Sequence, residues 1–189
     1  KMSIFGYIIT GFGIYYLIIG LKLIFGKDKE KSVNQRIIIC GKGASGKDYL
    51  KEKFIDKNFQ KDISYTSRPP RTGEINGDDY HFITNDEFED MIKLGKFYQY
   101  AKFNGWYYGT TKESWNNSKI FIMTPSGIKK ILHEERKNCF IIYIDTDEQT
   151  RIERLGKRSD ADTINRRLVA DENDFYGFQN YDLLITKFS

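Results

Sequence analysis

The chain is 189 residues long, 40% hydrophobic and 30% charged, which fits one globular domain plus an appendage. Its formal charge of +4, from 30 basic against 26 acidic residues, is too small an excess for the concentrated basic stripe of a nucleic-acid binder, so no nucleic-acid partner is expected. Cys40 and Cys139 lie in apolar runs and read as buried reduced thiols, and with only His81 and His133 beside them no Cys/His cluster has metal-site spacing.

Residues 1–31 differ from the rest. Met2 to Leu21 carries no charge, and Lys22 to Phe25 extends the apolar stretch before a basic flank. Twenty helical residues span about 30 Å, the thickness of a bilayer core. The run is long for a secretory signal and has no small-residue cleavage site. A single-pass membrane helix is therefore expected, with the bilayer as partner for residues 2–25. Lys22, Lys27, Lys29, Lys31 and Arg36 place the following domain on the cytoplasmic side. If the N-terminal segment is not native, the expectation becomes a cytoplasmic protein.

From Ser32 onward the pattern is α/β. Arg36 to Cys40, RIIIC, reads as a buried parallel strand that ends in a glycine-rich turn. Lys47 to Phe59 is a predicted helix. A second covers Asp86 to Leu94, with Asn85 able to cap it. Phe97 to Phe103 and Trp106 to Tyr108 are predicted strands joined near Asn104-Gly105. Ile120 to Met123 and Phe140 to Ile144 are predicted buried strands, with helices over Gly127 to His133 and Glu148 to Leu155. Thr163 to Phe175 is helical, and Leu183 to Ile185 is the last strand. Strands separated by helices predict a mostly parallel sheet, interrupted by an antiparallel stretch near 79–109.

Gly41-Lys42-Gly43-Ala44-Ser45-Gly46-Lys47 follows the first strand and opens a helix. This is the full GxxxxGK spacing in strand–loop–helix context. Glycines let backbone N–H groups turn toward a phosphate, the helix N-terminus adds its dipole, and Lys47 reaches the β/γ-phosphates. The next position normally supplies a Ser/Thr hydroxyl to Mg²⁺, but here it is Asp48. Two readings stand: a carboxylate ligand for Mg²⁺, or a charge favoured by the positive end of its helix.

Ile63 to Tyr80, ISYTSRPPRTGEINGDDY, resembles guanylate kinases, as do Gly105 to Thr110, GWYYGT, and Ile164 to Leu168, INRRL. The likeness runs over about residues 35 to 187. It implies a P-loop NTP hydrolase-like α/β fold in a domain at 33–189, with a monophosphate-binding subdomain at 67–112 and a lid at 156–163. The implied activity is ATP-dependent phosphorylation of a nucleoside monophosphate, GMP or dGMP first, with ATP as co-substrate and Mg²⁺ as cofactor. By position, Arg68, Arg71, Tyr80 and Tyr108 would hold the acceptor phosphate, with Glu74 and Asp79 orienting the arginines. Ser64 and Thr110 resemble base-contacting residues. Arg158 and Arg167 resemble catalytic lid cations, and Arg154 and Arg166 are further candidates because the short lid leaves the alignment near 156–162 open.

Departures bear on specificity. Where the family reads guanine with a Glu, this chain has Gln99. Two aspartates before Gly127 are replaced by Ile122 and Thr124, and Thr186-Lys187 stands where Asn-Asp is usual. A neutral Gln99 satisfies the acceptor–donor edge of adenine, so a kinase for AMP or dAMP is an alternative. A catalytically inactive protein-binding module is another. Retained Lys47 and the Arg/Tyr set argue against the latter.

Overall fold

The computed structural model describes residues 7–9, 35–54, 60–103, 105–157 and 163–188. A parallel sheet forms its centre. Its strands are β1 (Tyr7–Ile9), β2 (Arg36–Gly41), β7 (Ile120–Ile122), β8 (Cys139–Ile144) and β9 (Leu183–Phe188), in the order β1-β9-β8-β2-β7. Every residue of β2 is buried. The pleat divides its side chains between two cores, as a strand covered on both faces requires. Ile37 and Ile39 pack with Leu50 and Phe54 of α1 (Lys47–Phe54), whereas Ile38 and Cys40 pack with Trp115, Phe121 and Ile128 on the other face. Each such aliphatic side chain contributes about 1.5–3 kcal/mol when fully buried. The continuous apolar character of β2 and β8 is thus the cause of their central position.

A second sheet has the order β4-β3-β6-β5, built from β3 (Tyr65–Thr66), β4 (His81–Phe82), β5 (Phe97–Phe103) and β6 (Trp106–Thr111). β5 and β6 form an antiparallel hairpin in which Gln99 faces Thr110 and Ala101 faces Tyr108. Gly105 turns the hairpin at φ +87°, a conformation that favours glycine. Phe88 of α2 (Asn85–Lys93) stacks on Phe97 and Tyr107, with ring centroids 4.3 and 5.0 Å apart. Gly109 gives these rings room, since a Cβ there would meet Phe97 at 2.8 Å and Phe88 at 2.9 Å. β3 and β4 run parallel, so this sheet is mixed rather than wholly antiparallel.

Several local expectations change. Thr84, not Asn85, caps α2: its side chain accepts the Glu87 N–H, and Glu87 returns a bond to the Thr84 N–H. This reciprocal box satisfies two otherwise orphan donors. A short helix α3 (Lys112–Asn117) follows β6. The helix expected over Gly127 to His133 is two pieces, α4 (Pro125–Ile128) and α5 (His133–Arg136), because Thr124 caps the chain early and Pro125 fits the first turn. α6 (Glu148–Gly156) and α7 (Ile164–Phe175) complete the helices described, and residues 55–59 of the first predicted helix lie outside the described residues.

The N-terminal membrane expectation is overturned. Tyr7–Ile9 is a strand hydrogen-bonded in parallel to β9, with Tyr7 opposite Ile185, so Met2 to Leu21 does not form one membrane-crossing helix. Among the described residues no helix is long and apolar enough to cross a membrane. The bilayer partner at residues 2–25 and the single-pass membrane localisation fall with it. An uncharged apolar run suits a sheet strand as well as lipid, and periodicity alone does not separate them. The remaining residues of 1–34 lie outside the described residues.

Candidate active site

The carboxyl end of β2 leads directly into the phosphate loop. Gly41 has no space for a side chain, as a Cβ would lie 2.7 Å from the Ile144 carbonyl oxygen. Gly46 adopts φ +101° and Ala44 φ +60°. Lys47 Nζ folds over the loop and donates to the carbonyls of Gly41 at 2.8 Å and Lys42 at 2.9 Å. Thr146 Oγ1 donates to the Ser45 carbonyl at 2.9 Å, and Arg154 Nη1 to that of Ala44 at 3.2 Å. On the α7 side, Asp171 accepts the Gly43 N–H at 2.8 Å and pairs with buried Arg151 at 3.0 Å. Lys42 pairs with Glu172 at 2.9 Å. Asp48 lies in the first turn of α1 with an exposed side chain, 3.6 Å from Lys51.

Across the cavity, Arg68 is buried to 4% exposure. Its guanidinium donates to Glu74 at 2.9 Å and to the Pro69 carbonyl at 2.6 Å. Glu74 also accepts from the Arg71 side chain at 3.2 Å and from its backbone N–H at 2.7 Å. One carboxylate therefore orients both arginine forks. Asp79 instead closes the turn by accepting the Ile75 N–H at 2.8 Å. The Arg68 guanidinium lies 5.5 Å from the Tyr80 ring centroid, and Tyr80 meets Tyr108 edge-on at 6.3 Å. Burial raises the pKa of both phenols, so each is an O–H donor at neutral pH.

Between these clusters runs a polar wall. Ser64 Oγ donates to Asp62, as do the hydroxyls of Thr110, at 3.3 Å, and Ser114. Gln99 Nε2 donates to Thr110 Oγ1 at 3.2 Å. Burial raises the Asp62 pKa, against three hydroxyl donors and the charge of Lys51. Thr124 Oγ1 accepts the Gly127 N–H at 3.2 Å and contacts Ser126 Oγ at 2.9 Å, so it serves as a helix cap.

A single cavity of about 620 Å³ joins the loop, the arginine–tyrosine cluster and this wall. Of the predicted residues, Gly41, Gly43, Ala44, Ser45, Gly46, Lys47, Asp48, Ser64, Arg68, Arg71, Tyr80, Gln99, Tyr108, Thr124, Arg154 and Arg167 line it, whereas Lys42 turns to Glu172 instead. Thr110 is fully buried behind Gln99, and Glu74 stands behind the arginines. Arg166 is exposed, its guanidinium 6.0 Å from the Trp106 ring. Arg158 lies outside the described residues. Asp62, Arg151 and Asp171 belong to the site although they lie outside every motif of the sequence. The signal for Asp62 was its position two residues before Ser64, on the same side of an extended segment.

Comparison with known proteins gives a consistent assignment. A family model described as guanylate kinase matches residues 33–188. The guanylate kinase of Rickettsia felis is 31% identical over 160 residues, covering 79% of this chain and 83% of that protein. That of Nostoc sp. is 31% identical over 169 residues, covering 83% and 84%. The crystal structure of guanylate kinase from Anaplasma phagocytophilum shares the fold, with a TM-score of 0.63 at 21% identity over 83% of this chain and 78% of that one. With the family model spanning most of its length and relatives matched over most of theirs, the chain belongs to the guanylate kinase family.

Proposed function

We propose that the chain transfers the γ-phosphoryl group of ATP to GMP, forming ADP and GDP. The observation that carries this reading is the one cavity onto which both the phosphate loop and the Arg68, Arg71, Tyr80 and Tyr108 cluster open. A donor triphosphate on the loop and an acceptor monophosphate on the arginines share that space, which in-line transfer needs. The acceptor phosphate oxygen is the nucleophile, and the enzyme contributes position and charge rather than a covalent intermediate.

Each group has a role on this reading. Loop N–H groups and Lys47 hold the donor's β- and γ-phosphates. The two arginine forks grip the acceptor phosphate, and the protonated phenols donate to its remaining oxygens. Arg167, with Arg158 from a lid at 156–163, offsets charge that develops on the transferring group. Closure of that lid keeps out water.

Mg²⁺ needs only one or two carboxylates when phosphates supply other ligands. Asp48, on the cavity wall with an exposed side chain, fits that requirement. Among the described residues no group of three metal-ligating side chains is assembled, so phosphate oxygens and water would complete the shell. When bound, the ion neutralises the donor phosphates.

Measured ADP formation from ATP with GMP, dGMP, AMP and dAMP tests the reading. GMP or dGMP should be the preferred acceptor, and Lys47→Ala should abolish transfer while leaving the melting transition in place. Nucleotide binding without turnover on any acceptor would overturn the proposal in favour of a protein-binding module.

A further inference from the structure

The polar wall contains a carboxylate that touches the base site only through other residues. Asp62 is 6% exposed, and it accepts hydrogen bonds from Ser64, Thr110 and Ser114. A hydroxyl has one proton to donate and lone pairs with which to accept. With its proton committed to Asp62, Ser64 offers the cavity lone pairs alone.

Thr110 passes the same constraint on. Its proton goes to Asp62, so toward Gln99 it can only accept. Gln99 must therefore present its nitrogen to Thr110, as observed at 3.2 Å. The amide is rigid, so its oxygen points the other way. Gln99 Oε1 indeed lies beside Gly127, close enough that a Cβ there would meet it at 2.8 Å. A neutral amide, which could have met Thr110 with either end, is fixed with its nitrogen there and its oxygen directed away from it.

We propose that Asp62 sets the base preference of the acceptor site by turning Ser64 and Gln99 into hydrogen-bond acceptors that match the N1–H and N2–H₂ donors of guanine. Adenine presents an acceptor, N1, beside one donor group and meets this wall with one pair unmatched. The negative charge that a Glu at position 99 would bring is moved one residue back, behind hydroxyls that relay its direction. Asp62 is a positioning residue, and its role rests on the reading of GMP as acceptor.

The test compares kcat/KM for GMP and AMP in the full chain and in Asp62→Asn. The Asn amide donates where the carboxylate accepted, so at least one hydroxyl must redirect its proton. The GMP/AMP ratio should fall about tenfold or more, the typical effect of one unmatched buried pair, through the KM for GMP and with the KM for ATP unchanged. If Asp62→Asn does not show a folded melting transition, Asp62→Ser replaces it, leaving no charge to bury and giving the same expected loss. Gln99→Glu supplies a readout that a purely structural role would not move. Alone it sets two carboxylates on the single Thr110 proton and should impair GMP use. Combined with Asp62→Ser it should restore GMP preference. A wild type that transfers nothing to GMP refutes the proposed function itself. A wild type that prefers GMP, with folded Asp62 variants that keep its ratio, overturns the role of Asp62 alone.

Discussion

Asp171 accepts the backbone N–H of Gly43 at 2.8 Å while its carboxylate pairs with Arg151 at 3.0 Å, so α7 is tied to the phosphate loop by one side chain. Both partners of the ion pair are nearly buried, at 3% and 5% side-chain exposure. Removing one partner of such a pair strands the other charge. Asp171→Ala should therefore cost about 3–5 kcal/mol of stability and raise the KM for ATP, because the loop loses its anchor on α7. Urea denaturation and ATP titration check both. Gly43→Ala is a milder probe, since the new Cβ would lie 3.1 Å from the carboxylate oxygen. A stable Asp171→Ala chain with an unaltered ATP KM would contradict this coupling.

Ala44 holds φ +60° in the same loop, a conformation that costs a side chain with a Cβ about 1–2 kcal/mol. Glycine relieves that cost and returns part of it as unfolded-state entropy. Ala44→Gly should therefore raise stability by about 1 kcal/mol. The Arg154 bond to the residue 44 carbonyl is a backbone contact and should survive. Denaturant midpoints decide the matter, and a lower midpoint for the glycine variant would contradict the strain.

Asp48 separates a metal role from a dipole role. If the carboxylate binds Mg²⁺, Asp48→Ser keeps activity with a shifted Mg²⁺ dependence and Asp48→Ala loses more. If it only favours the helix N-terminus, the cost is about 0.3–1 kcal/mol of stability, with superimposable Mg²⁺ titrations. The first outcome is expected, because the side chain lies on the cavity wall.

The buried Asp62 carboxyl has its pKa raised by desolvation. The folded chain then binds this proton more tightly than the unfolded chain does. Its contribution to stability is fully present below the ordinary carboxylate pKa and is lost as pH rises through the raised folded value. The stability of the wild type relative to Asp62→Asn should accordingly fall as pH increases from about 4 toward neutrality. Unfolding free energies of both chains across that range test the sign. The ionised form thus costs stability while giving the acceptor wall its direction, a trade often met at functional sites.

The phosphate loop and the central strands are legible from residue order, because each rests on local chemistry, whereas the arginine–tyrosine set follows from the resemblance of residues 63–80 and 105–110 to guanylate kinases. Small residues before Lys47 make a phosphate turn wherever a strand precedes them. An unbroken apolar run such as Arg36 to Cys40 demands cover on both faces. Other features depended on what lies opposite. The apolar residues Tyr7–Ile9 have a period that suits lipid or a sheet, and only the presence of β9 as a hydrogen-bonding partner makes them a strand. Thr124 lines the cavity, and only the fold shows that its hydroxyl also accepts the Gly127 N–H as a helix cap. Gln99 is the sharpest case. Its type leaves both ends of the amide available to a base, and taken alone it suits the acceptor–donor edge of adenine. The direction follows from Thr110 and Asp62, 11 and 37 positions away along the chain, which converge on it only after β5, β6 and the segment before β3 are packed. A hydrogen bond's direction belongs to the pair of groups that share the proton, and tertiary structure is what chooses the pair.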